Sequence, residues 1–466
     1  MLFNSIEFFI FFPVVCIIYY LIPTQKIRNF FLLFSSYFFY MNWKPVYALL
    51  LLSSTVVTWL TAIGIDKAEA KYKKVYLIIC VIINLSILFV FKYYNFAAET
   101  ITLVLQKTGI AFPMPEFKLL LPVGISFYIF QALGYSIDVY RGNTIVERNF
   151  FTYALFVSFF PQLVAGPIER SVNLLPQFKQ LKSFNYERTM EGVRMMIWGY
   201  FLKLVLADRC GIYVDAIFNN VAHHNGGSFW IASLLFPFQI YGDFAGYSLV
   251  AIGAARIMGF HLMDNFRRPY LSDTVTNFWR RWHISLSTWF KDYIYIPLGG
   301  NRVGKMRGYM NLLITFTISG LWHGANWTFV IWGILHGFIL CAERACGIAK
   351  KQFRGWKKLM HWFMTFGVIC LGWVFFRANN LSDSVAIFRG MFTNMGIPYL
   401  RLADWAAIAI AIAIMLFKEC NEEFNWNIHI SDSKSWLVRH LYIVCFICYI
   451  ILFGVLNGDQ FIYFQF

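Results

Sequence analysis

The chain has 466 residues, of which 59% are hydrophobic, 20% aromatic and only 14% charged. An ordinary soluble domain is about one quarter charged, so these proportions exclude a water-soluble globular enzyme, a disordered chain and a disulfide-stapled secreted domain. The net charge of +16, from 40 Lys+Arg against 24 Asp+Glu, is read as basic cytoplasmic loops and not as a nucleic-acid surface, because no basic stretch lies outside the apolar framework.

The opening MLFNSIEFFIFFP has neither a basic n-region nor a small-residue cleavage site. It is read as a first membrane segment that stays in place. Backbone in lipid must pair its own polar groups, so long apolar windows predict helices. Uncharged windows run 8–25, 29–43, 45–65, 75–91, 119–137, 150–168, 216–242, 308–342, 362–376, 405–417 and 441–458. A further stretch, 194–207, carries Arg194 and Lys203 near its ends. Spanning takes about 20 residues, so the expectation is an all-α polytopic membrane protein with about eleven or twelve transmembrane or re-entrant helices. Residues 97–118, with Pro113 and Pro115, read as an exposed excursion. With no repeat and no linker, one membrane-embedded domain over 1–466 is expected.

Three loops are basic. Residues 66–74 hold four Lys, 256–307 hold nine Lys+Arg against three Asp, and 341–360 hold six Lys+Arg against one Glu. The positive-inside rule places all three in the cytoplasm. The uncharged window 308–342 lies between two of them, so it must enter the membrane and return. Split in half it makes two helices of about 17 residues, roughly 25 Å each. The turn is expected at SGLWHGAN, 319–326, deep in the membrane or near its far face.

That turn carries His323, flanked by Gly320 and Gly324. A histidine at lipid depth costs free energy unless partnered, so it is either glue between helices or a functional group. His283 lies in NFWRRWHISLSTWFKDYIYIPLGGNR. At helical spacing Trp279, Trp282, Leu286, Trp289 and Tyr293 form one aromatic face. The pattern suggests a helix lying in the cytoplasmic interface with His283 as a polar tip. After it, Gly299-Gly300 with Asn301, Arg302 and Lys305 is a candidate contact for donor phosphates or lipid headgroups. Asp243, in FQIYGDFAGYS, needs a partner or water, and Gln239, Tyr241 and Tyr247 are candidates to share its network. His336 lies one pass beyond His323, about four turns away, and is not expected to act with it. Cys445 and Cys448 form a C-x-x-C inside an apolar run, where packing is the usual thiol role. The chain shows no G-x-S-x-G elbow, no P-loop and no metal-ligand spacing, so no metal is expected. Two readings remain: a lipid-embedded histidine acting as a base, or a polar path for a polysaccharide or lipid transporter. Against the transporter, no inverted repeat or paired set of broken helices is visible.

The ordered motifs resemble those of the membrane-bound O-acyltransferases, in the bacterial branch that O-acetylates exported polysaccharides such as alginate. They are MLFNSIEFFIFFP, LPVGISFYIFQALGYSIDVYRG (121–142), FFPQLVAGPIER (159–170), FQIYGDFAGYSLVAIGAARIMGF (238–260), FWRRWHISLSTWFKDYIYIPLGGNR (278–302), SGLWHGANWTFVIWGILHG (319–337) and the closing FIYFQF. The resemblance implies a ring of helices around a thin centre, with a catalytic histidine at His323 and a second characteristic histidine at His283. It implies no bound cofactor, and as donor a cytoplasmic acyl thioester such as acetyl-CoA. The acetyl group would cross a bacterial cytoplasmic membrane to an exported polysaccharide. An exported partner of the SGNH-esterase type would place it on the sugar. Asn326 and Trp327, neighbours in sequence, are candidates to orient His323 or hold an oxyanion. D-alanyl transfer to teichoic acid from a carrier-protein thioester is the close alternative.

Overall fold

The computed structural model describes residues 1–456 apart from 111, 113, 118, 119, 165, 400, 401, 429, 432 and 434. Pro113, the end of the 441–458 window and FIYFQF lie outside the described residues. Every regular element among the described residues is helical. The chain is a multi-pass helical membrane protein. Among the described residues, five helical stretches are long and apolar enough to cross a bilayer: Pro45–Lys67, Ala70–Lys107, Trp327–Ala345, Gly355–Arg377 and Trp436–Phe453. Ile6–Leu21 is apolar but shorter. Backbone contacts group the chain into two compact units, Met1–Met190 with Ala254–Met263, and Glu191–Gly253 with Asp264–Phe466.

In the first unit, Phe39 packs on Phe8 at 6.1 Å and on Phe160 at 5.6 Å between centroids. Lipid supplies no hydrophobic drive between helices, so small polar side chains hold them. Ser54 Oγ donates to Asn84 Oδ1 at 2.5 Å, and the Tyr153 hydroxyl donates to Thr58 Oγ1 at 2.7 Å. The excursion expected at 97–118 is corrected in part. The helix from Ala70 continues through a wider π turn, Phe89–Tyr93, and runs on as Tyr94–Lys107. Nothing in 97–107 breaks a helix, and the first proline comes six residues after its end.

In the second unit, the expected hairpin forms from Lys305–His323 and Trp327–Ala345. The helix persists through Ser319–His323, so the turn is confined to Gly324–Asn326 and is tighter than the eight residues expected. Asn326 makes that sharp return possible by capping the second helix, its side-chain oxygen accepting from Thr328 N at 3.0 Å. The two helices meet at Gly320 and Gly333. A Cβ on Gly320 would lie 2.3 Å from the Phe329 carbonyl oxygen, and one on Gly333 would lie 2.3 Å from that of Phe316.

The single interfacial helix expected around His283 is corrected. Two short helices, Val275–Arg281 and Ile284–Phe290, are separated by Trp282 and His283. His283 has a left-handed φ of +43°, which ends helical continuity there. Its side chain is fully buried and is no interfacial tip.

Candidate active site

The hairpin delivers His323 as the last helical residue, 2% exposed. Its ring is packed edge-to-face among three others, Trp322 at 5.0 Å, Trp332 at 5.2 Å and Phe376 at 5.2 Å. Trp332 comes from the returning helix and Phe376 from Gly355–Arg377. Trp332 also stacks on Trp373 at 5.6 Å, and Trp373 meets Trp282 at 5.2 Å. These rings wall the His323 imidazole with apolar surface.

His283 reaches the same wall from another direction. Its ring lies 5.9 Å from Trp322, so one indole touches both histidines. Phe244, from helix Gly226–Ile257, covers it at 4.6 Å. His283 is held by a polar network. Asn265 Oδ1 accepts from Ser285 Oγ at 2.9 Å and from Ser285 N at 3.3 Å, and lies 3.0 Å from His283 Nδ1. Asn265 Nδ2 donates to Ser248 Oγ at 3.2 Å. With the amide oxygen facing it, His283 Nδ1 is the protonated nitrogen, and Nε2 carries the lone pair. Burial pushes the His283 imidazole down to about 3, well below the ordinary 6.5. It is therefore neutral throughout the physiological range.

Asp243 is 2% exposed and pairs with Lys203 at 2.6 Å, and the same ammonium reaches Asp208 at 2.7 Å. Lys203 sits in a π-helical stretch, Phe201–Ala207, and lies over the Tyr247 ring at 5.6 Å. Tyr241 bonds instead to Glu419, and Gln239 packs against Gly211. Asp243 is the residue before Phe244, so the ion cluster anchors the helix that covers His283. Asn326 spends its oxygen on the cap and its Nδ2 on the Asn379 carbonyl, just past helix Gly355–Arg377, at 3.0 Å. Trp327 is 47% exposed. Asn301 and Arg302 are exposed on a loop where Gly299 and Gly300 take positive φ, and Asn311 Nδ2 ties that loop to the hairpin through Leu298 O at 3.0 Å. The structure thus brings together His323 and His283, and groups Asp243 with Lys203 behind Phe244.

Sequence reasoning passed over Asn265, which lies 18 residues before His283 with no continuous helix joining the two. It also passed over Lys203 as the partner of Asp243, although a lone cation between Arg194 and Asp208 in an apolar run was a usable signal. His336, set apart by its distance along the helix, also packs on Trp332, at 4.9 Å.

The two buried histidines, one at the end of the hairpin's first helix and one between two short helices, share an aromatic wall, and similarity to known proteins supplies the class. The family model described as MBOAT, membrane-bound O-acyltransferase family, matches residues 36–385. The chain belongs to the membrane-bound O-acyltransferase family and is an O-acyltransferase. It is 41% identical to the probable alginate O-acetylase AlgI of Pseudomonas syringae pv. tomato, over 90% of this chain and 80% of that one. It is 36% identical to the peptidoglycan O-acetyltransferase of Helicobacter pylori, over 87% of this chain and 82% of that one. A teichoic acid D-alanyltransferase of Streptococcus thermophilus is 29% identical over 54% of this chain and 68% of its own length. With the enzyme class shown, the transporter reading is set aside.

Proposed function

We propose that this chain moves an acetyl group from a cytoplasmic thioester, acetyl-CoA, to a hydroxyl on the far side of a bacterial cytoplasmic membrane, for O-acetylation of an exported polysaccharide. The observation that carries the reading is the single indole of Trp322 in contact with both buried histidines. His323 is the general base. It takes the proton of the attacking hydroxyl as the oxygen bonds to the thioester carbonyl carbon. The carbon–sulfur bond then breaks, and the imidazolium returns the proton to the leaving thiolate. Base assistance of this kind is worth about 10²–10⁴-fold. His283, neutral and locked by Asn265, presents an unprotonated Nε2 beside the same wall. Acetyl is favoured over D-alanyl because the relatives named for O-acetylation align over far more of the chain. The receiving hydroxyl belongs to a sugar or to a serine of an exported SGNH-type partner.

The test is cleavage of acetyl-CoA by the purified protein in detergent, with water in place of the acceptor hydroxyl and acetate and CoA as products. Turnover is expected in the wild type and not in His323→Ala at equal folded protein. Equal turnover in the two would remove His323 as the base. Polymer NMR after deletion of the gene then names the acceptor by the acetyl signal it loses.

A further inference from the structure

We propose that Glu343 is a positioning residue for acyl transfer, holding the segment that carries His283 in register with His323; the proposal rests on the two-histidine reading above. A helix start leaves its first amides without partners. In Val275–Arg281, the helix that leads into His283, Glu343 takes two of them. Val275 N donates to Glu343 Oε1 at 2.7 Å and Thr276 N to Oε2 at 2.8 Å. The Thr276 hydroxyl adds a bond to Oε2 at 2.6 Å, and Thr274 Oγ1 accepts from Asn277 N at 3.0 Å. The carboxylate comes from the far end of Trp327–Ala345, the helix that begins four residues after His323.

The same helix grips the segment twice more. About two turns back, His336 Nδ1 accepts from Trp279 Nε1 at 3.3 Å. One residue on, Arg344 Nη1 donates to the Tyr295 hydroxyl at 3.0 Å. Residues 275–276, 279 and 295 are therefore fixed to one helix, with His283 between the last two. Bonds to a charged carboxylate are the strongest of the three attachments. Releasing it frees the start of the segment while leaving both histidines in the chain.

The experiment is steady-state acetyl-CoA cleavage by the purified full chain in detergent, for wild type, Glu343→Ala, Glu343→Gln and His323→Ala. Glu343→Ala is expected to lose about 10- to 100-fold in kcat, the scale of a small misplacement, with KM for acetyl-CoA within about twofold. Glu343→Gln keeps one accepting oxygen and is expected to recover part of that kcat. Wild-type kcat in Glu343→Ala, a change in KM alone, or equal loss in the Ala and Gln variants overturns the proposal. Where Glu343→Ala does not fold, the Gln variant decides by the same kcat and KM criteria, wild-type values overturning the proposal. An active His323→Ala overturns the histidine reading itself, whereas an inactive His323→Ala beside a wild-type Glu343→Ala overturns only the role of Glu343.

Discussion

The ring of His323 is packed among Trp322, Trp332 and Phe376, whereas His283 is bonded to Asn265 and backed by Ser285 and Ser248. Both imidazoles are buried, and both touch Trp322. The apolar cage holds a ring by shape and lowers the dielectric around it. The polar network also chooses which nitrogen bears the proton. One site thus combines an imidazole held in an apolar cage with a second imidazole whose tautomer is dictated.

The strongest way to break the comparison is at His323. His323→Ala is expected to lose about 10²–10⁴-fold in thioester cleavage while folded protein remains recoverable, measured by turnover per monodisperse protein. If His283→Ala costs as much and His323→Ala costs nothing, the roles are reversed. Next comes the ion cluster behind Phe244. Lys203→Met leaves Asp208 and Asp243 buried without their cation, and a loss of about 3–5 kcal/mol is expected as a large fall in melting temperature in detergent. Adding Asp243→Asn to Lys203→Met is expected to recover part of it.

A smaller effect sharpens the polar side. Asn265→Ala removes the oxygen that receives Ser285 and faces His283 Nδ1, and should cost about 1–3 kcal/mol with a drop in turnover. Unchanged turnover would mean that tautomer control at His283 is idle. The smallest effect is in pH. The folded His283 imidazole is lowered to about 3, so between the ordinary 6.5 and that value the unfolded chain binds a proton that the folded chain does not. Stability is fully present above about 6.5 and falls as pH drops below it. Melting curves from pH 7.5 to 5 should show this slope, reduced in His283→Gln.

Much of this was legible in sequence. The absence of charge over 308–342 between two basic loops required a hairpin, and His323 had to fall near its turn. The tightness of the turn was not legible, because it depends on the Asn326 cap and on backbone contact at Gly320 and Gly333. Around His283 the helical spacing of aromatic residues pointed to one surface helix. That spacing is met by two short helices as well, and periodicity cannot register a single residue whose backbone reverses hand. The partners of His283 and Asp243 were hidden for a different reason: Asn265 and Lys203 are brought in by tertiary packing from elsewhere in the chain.

The left-handed backbone at His283 has a consequence for how substitutions there should be judged. A non-glycine residue in that region stores on the order of 1–3 kcal/mol of strain, held by the structure around it. Glycine would relax the main chain and asparagine would tolerate it, yet neither supplies an imidazole. Glycine would also empty a fully buried site packed against Phe244 and Trp322, and either replacement would take the imidazole away from Asn265 Oδ1. Truncating a buried ring costs about 3–5 kcal/mol, more than the strain relieved, so a screen for melting temperature alone would retain the imidazole that this strained backbone carries.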